Sequence, residues 1–107
     1  MALDARVSSA GLSSASLSIV ADGAPALLMR IRAGDRDALC ELHETLGWLV
    51  YGKAHHITRE RLAAELITAG VFALVWQSPH EFAPNELRHT LTQLAGRRAH
   101  DWVRTAS

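Results

Sequence analysis

Residues 64–76 read AELITAGVFALVW. From Leu66 to Trp76 almost every residue is apolar on all sides of a helical wheel, with Thr68 the clear polar exception. A helix of that kind sits at the centre of a core, or is shared between a core and a partner. A strand through VFALVW is the alternative, but the run continues unbroken from Arg59 and is rich in Ala and Leu, which predicts a helix.

Downstream of this run, SPHEFAP at 78–84 places Pro79 and Pro84 where a helix cannot continue, so a loop is expected there. Asn85 is a suitable N-cap for a fourth helix. On that helix Leu87, Leu91, Leu94, Ala95, Ala99 and Trp102 share one arc, while His89, Gln93, Arg97, His100 and Arg104 share the opposite one. One face is expected to pack and the other to stay polar and basic. Arg98 falls within the apolar arc; it must snorkel outward or find a carboxylate, with Asp101 or Glu65 as candidates.

Upstream, Pro25 is expected to open a short helix, ALLMRIRA, that Gly34 ends by taking a left-handed conformation. Asp35 then caps a long helix along which Leu39, Leu42, Leu46, Leu49, Val50 and Ile57 recur at spacings of three and four as a core stripe. Trp48 falls on the other side of that helix, near Glu41, Glu44, Tyr51 and His55, either as a contact surface or under a covering element. Thr58 is the expected N-cap of the third helix. The Ala- and Ser-rich start, residues 1–24, lacks hydrophobic periodicity and is expected to be a flexible tail preceding one helical domain, 25–107. The fold class that follows is all-α, a compact bundle of about four helices.

A chain of 107 residues, 49% hydrophobic and 21% charged, allows one small soluble domain whose stability alone is marginal. Its formal net charge of zero argues against nonspecific coating of nucleic acid, so any such contact must be local. Serines and Asp4 interrupt the apolar positions a secretory signal would need, and no window approaches a membrane span; a cytoplasmic location is expected. Cys40, the lone cysteine, reads as a small, partly buried helix residue. No phosphate loop, nucleophile elbow or metal-ligand spacing is present, and the six histidines lack ligand periodicity. A protein without enzymatic activity, metal or cofactor is expected.

The stretch from Leu28 to Arg104 resembles region two of the extracytoplasmic-function sigma factors of bacterial RNA polymerase. The matching residues are RAGDRDAL at 32–39, EL at 41–42, VYG at 50–52, IT at 57–58 and AE at 64–65. They continue with VF at 71–72, VW at 75–76, FxP at 82–84 and RRAxDxVR at 97–104. The resemblance implies that the third helix docks on the clamp of the largest subunit of core RNA polymerase through Glu65, Leu66, Ala69, Gly70 and Ala73. It further implies that the loop and fourth helix, through His89, Gln93, Arg97, His100 and Arg104, capture the nontemplate strand of the promoter minus-ten element, with a base extruded into a protein pocket.

Departures from the family pattern concentrate at those contacts. Leu66 stands where an acid is usual, Ala69 where glutamine is, and Gly70 where glutamate is. The segment between Pro84 and Arg97 is about two residues short and has Thr90 where tryptophan is common. A complete factor also carries a second helical domain that reads the minus-thirty-five element, for which 107 residues leave no room; a piece of a longer factor and a diverged stand-alone protein both fit. The substitutions suit a second reading, a degenerate sigma-like module whose third helix meets an anti-sigma protein, another sigma factor or a second copy of itself.

Overall fold

A computed structural model describes residues 23–106. Its elements are α1 (residues 23–32), α2 (Arg36–Thr58), α3 (Arg61–Gln77), two 3-10 turns (Pro79–Glu81 and Pro84–Glu86) and α4 (Leu87–Ala106). The chain is all-α, with four helices and no strand among the described residues. Most of the expected tail, residues 1–22, lies outside the described residues. Gly23 and Ala24 do not belong to a tail: both are helical and Ala24 is buried, so α1 is already formed before Pro25. Proline is tolerated there because the first turn of a helix leaves its N–H groups without intrahelical acceptors.

The α1–α2 corner follows from RIRAGD. Gly34 takes φ of +91°, the Gly34 N–H donates to the Ile31 carbonyl, and the Asp35 N–H donates to the Arg30 carbonyl. This double bond pattern closes a helix C-terminus on a left-handed residue, a conformation glycine adopts without Cβ strain. Asp35 then accepts the backbone N–H groups of Asp37 and Ala38, starting α2 as expected.

The core is built from one stripe per helix: Leu28 and Ile31 from α1, Leu42, Leu46 and Val50 from α2, Ile67, Val71, Phe72 and Val75 from α3, and Leu87, Leu91, Ala95 and Ala99 from α4. Phe82 joins it from the loop. Of the stripe expected on α2, Leu39, Leu49 and Ile57 are only partly buried at its edges, while Ala38 and Ala54 are fully covered. Buried alanines of this kind carry little apolar area, so a stripe drawn from large apolar side chains passes over them.

The α2–α3 connection is tighter than the sequence suggested. Thr58 is the last residue of α2, not the N-cap of α3; that position is held by Glu60, whose side chain makes no capping bond. Arg59 takes a left-handed φ of 60°, its N–H donates to the His55 carbonyl, and the Thr58 hydroxyl accepts the Glu60 N–H at 3.3 Å. Thr58 therefore stabilises the turn rather than the helix start. Asn85 likewise lies inside the second 3-10 turn, and α4 begins two residues later at Leu87. Cys40 is exposed on α2, not partly buried.

Candidate functional site

Two outward faces meet along α3 and α4. On α3, burial of Ala63, Ala64, Ile67, Thr68, Val71, Phe72 and Val75 uses the inner side of the helix. Helical geometry then turns Leu62, Glu65, Leu66, Ala69 and Ala73 to solvent, all exposed, with Gly70 half-buried at the edge. Leu62 and Leu66 are 66% and 65% exposed, unusual for leucines on an otherwise apolar helix. All five α3 positions expected to meet a partner therefore share one side. Glu65 forms a long ion pair with Arg61 at 3.9 Å, which leaves its carboxylate largely solvated.

Grooves flank this ridge. Between α2 and α3 one of about 490 Å³ is lined by His43, Gly47, Trp48, Tyr51, Glu65, Thr68 and Ala69. It continues towards Cys40, Phe72, Ala73 and Trp76. Trp48 is 63% exposed, anchored by an indole N–H donated to the Thr45 carbonyl at 3.0 Å. Tyr51 stacks on His55 with ring centroids 5.8 Å apart, and His43 tilts against Phe72 at 4.7 Å. None of the other described helices covers Trp48. Between α3 and α4 a second groove, about 620 Å³, is lined by Leu66, Ile67, Leu94, Arg97, Arg98, Asp101 and Trp102 among others.

The outer face of α4 brings His89, Gln93, Arg97, His100 and Arg104 together, all exposed. From the first to the last of these the helix rises about 22 Å. Four arginines and a single aspartate lie on α4, whereas α2 carries Asp37, Glu41 and Glu44 against Arg36 and Lys53. A chain with no net charge thus separates its charge between helices. Arg104 pairs with Asp101, while Arg97 has no ion-pair partner among the described residues. Arg98 meets neither candidate carboxylate, since Asp101 is taken by Arg104 and Glu65 by Arg61. It snorkels instead across α3, where its Nη1 lies 3.2 Å from the point a Cβ on Gly70 would occupy. A Cβ at 70 would meet only this end of the Arg98 side chain.

Loop 78–84 bridges the two faces. Phe82 is buried as its anchor, the Glu81 N–H donates to the Ser78 carbonyl, and the Phe82 N–H donates to the Pro79 carbonyl. Beneath the loop lies a cavity of about 220 Å³ lined by Leu74, Ser78, Glu81, Phe82, Thr90 and Leu94. Arg32, at the end of α1, donates from Nε to the Pro79 carbonyl at 3.2 Å and from Nη2 to the Phe82 carbonyl at 2.7 Å. Arg30, two residues earlier, turns the other way, to Asp35 at 2.9 Å and Glu41 at 3.1 Å. The Arg30 guanidinium holds the Asp35 carboxyl below the usual aspartate range, and Glu41 together with Asp35 raises Arg30 further.

Reading the sequence by helical arcs missed Arg30 and Arg32 because both belong to a corner. Their signal was the alternation RxR immediately before a glycine stop. It also missed Arg36, whose guanidinium lies 5.3 Å from the Trp76 ring centroid and ties the start of α2 to the end of α3. Among the described residues no group of three or more His, Cys, Asp or Glu is placed to hold a metal ion, and no helix is long and apolar enough to cross a membrane. No family model, curated protein or solved structure matches the chain.

Proposed function

We propose that this chain is a sigma-factor-like domain of transcription initiation, with the α3 ridge docking on the clamp of core RNA polymerase and loop 78–84 with α4 receiving the nontemplate strand of a minus-ten element. The observation that carries the reading is the adjacency of two unlike faces: a solvent-exposed apolar ridge on α3 and a basic α4 face, joined by a short anchored loop over a cavity. In this reading Arg97 serves phosphates, His89, Gln93 and His100 supply donors towards base edges, and the 220 Å³ cavity is the receiving space for one extruded base. The domain makes and breaks no bond; it offsets duplex opening with contacts that only single-stranded DNA offers. Such a protein works in the cytoplasm, without cofactor.

The decisive experiment is capture of core polymerase by the purified chain, followed by titration with a single-stranded minus-ten oligonucleotide at several salt concentrations. Binding of both, with DNA affinity falling as salt rises, is expected. Absence of both interactions at low salt refutes the proposal.

A second reading, a sigma-like interaction module without promoter recognition, is favoured by the exposure of Leu62 and Leu66 beside Ala69 and Ala73. Apolar and small residues there fit close packing against an anti-sigma protein or a second copy better than directed hydrogen bonding. Light scattering separates the two: a stable homodimer dispersed by Leu66→Glu supports the module, and a monomer that retains DNA affinity rules it out. Leu66→Glu leaves stability within about 0.5 kcal/mol, because the side chain is already 65% exposed.

A further inference from the structure

We infer that Arg32 is the positioning residue of loop 78–84: α1, through this one guanidinium, sets the shape in which the loop is presented. The loop is short of internal constraints. Its two prolines remove backbone donors, and its own bonds are the short-range ones of two 3-10 turns. Arg32 reaches across 47 and 50 residues of sequence to bind the carbonyls of Pro79 and Phe82, the first and last residues of the first turn plus its cap. Two donors from one planar fork fix both distance and rotation, which a single bond does not.

The far end of the clasp is equally defined. Arg32 is the last residue of α1, and the Gly34 corner stops the helix immediately beyond it. Arg30 holds the same corner to α2 through Asp35 and Glu41, so α1 cannot rotate without breaking one set of bonds or the other. Alternate arginines therefore divide the work, one fixing α1 to its neighbour and one transmitting that position to the loop. With both carbonyls occupied, the Arg32 guanidinium acts on a ligand through the loop.

Amide hydrogen exchange on the purified chain tests this without any ligand. In Arg32→Ala, exchange at the Glu81, Phe82 and Glu86 amides is expected to accelerate roughly tenfold, with Leu46 and Val50 in α2 unchanged and Arg32→Lys, able to reach one carbonyl, intermediate. Unchanged loop exchange, or equal acceleration throughout the chain, overturns the inference. A second readout rests on the proposed DNA-binding function. Affinity for the minus-ten oligonucleotide should fall about tenfold in Arg32→Ala with the salt slope unaltered, because the number of phosphate contacts is the same. A slope reduced by about 0.7 makes Arg32 a direct phosphate ligand and overturns its positioning role. If the wild-type chain binds no DNA, the DNA-binding reading fails, and the exchange experiment alone decides the role of Arg32.

Discussion

Replacing Gly70 by alanine should stabilise the protein, and the amount reports how firmly Arg98 is held. Gly70 lies within α3, where alanine is favoured over glycine by about 1 kcal/mol. The only atom an added Cβ would meet within 4 Å is Arg98 Nη1 at 3.2 Å. That atom is the far end of an exposed, flexible side chain that makes no ion pair among the described residues, so it can yield by a few tenths of an ångström at small cost. Gly52, within α2 and exposed, has nothing within 4 Å and isolates the helix-propensity gain. Gly52→Ala is therefore expected to gain close to 1 kcal/mol and Gly70→Ala about 0.5–1 kcal/mol. For a domain of this size each kilocalorie raises Tm by roughly 4–8 °C. Thermal melts and urea midpoints of both variants measure the difference. Gly70→Ala below wild type with Gly52→Ala above it would refute the reasoning, since Arg98 would then be locked over α3 rather than snorkelling past it. Gly70→Glu extends the test: its carboxylate falls beside Arg98, and in the sigma-like reading it strengthens polymerase capture without loss of fold.

In the proposed DNA-binding reading, Arg97→Ala should weaken single-stranded DNA binding similarly for every sequence and reduce the salt slope by about 0.7, measured by fluorescence titration across salt concentrations. Leu91→Ala, at a fully buried position, should cost about 2–5 kcal/mol and be visible as an early urea transition. Acid titration of the wild type against Asp35→Asn checks the α1–α2 corner. Because Arg30 lowers the folded-state pKa of Asp35, its contribution is complete above the unfolded aspartate pKa and disappears as pH falls through the lower folded value. The stability gap between the two proteins should close in that acid window and stay constant near neutrality.

Helical arcs made α2 and α4 legible, since Leu42, Leu46, Val50, Leu87, Leu91 and Ala99 occupy the buried sides their spacing requires, whereas α3, apolar all round, was legible from its unbroken Ala- and Leu-rich run. The outward face of α4 was legible for the same reason, since what the core does not use must face outward, as Arg97 and His100 do; Leu66 and Ala69 entered through the resemblance, and both are exposed. Junctions were less so. Thr58, Glu60 and Asn85 are all plausible caps, and which one serves depends on how the chain turns between helices, a tertiary property. Arg98 could be placed beside Asp101 by sequence distance, but Arg104 on the same helix reaches that carboxylate instead. The RxR ahead of the Gly34 stop marks Arg32 as a corner residue but not what it binds, because its acceptors are backbone carbonyls and no residue type signals them.

The separation of charge between α2 and α4 gives a neutral molecule a permanent direction. A body without net charge feels little pull towards a polyanion from far away, yet a polyanion's field still exerts a torque on it within about 10 Å at ordinary salt. In the proposed DNA-binding reading, Glu41 and Glu44 would be turned away and Arg97 turned inward before contact. Alignment, rather than attraction, would then govern the encounter, so added salt should reduce the fraction of collisions that are productive more than it reduces their number.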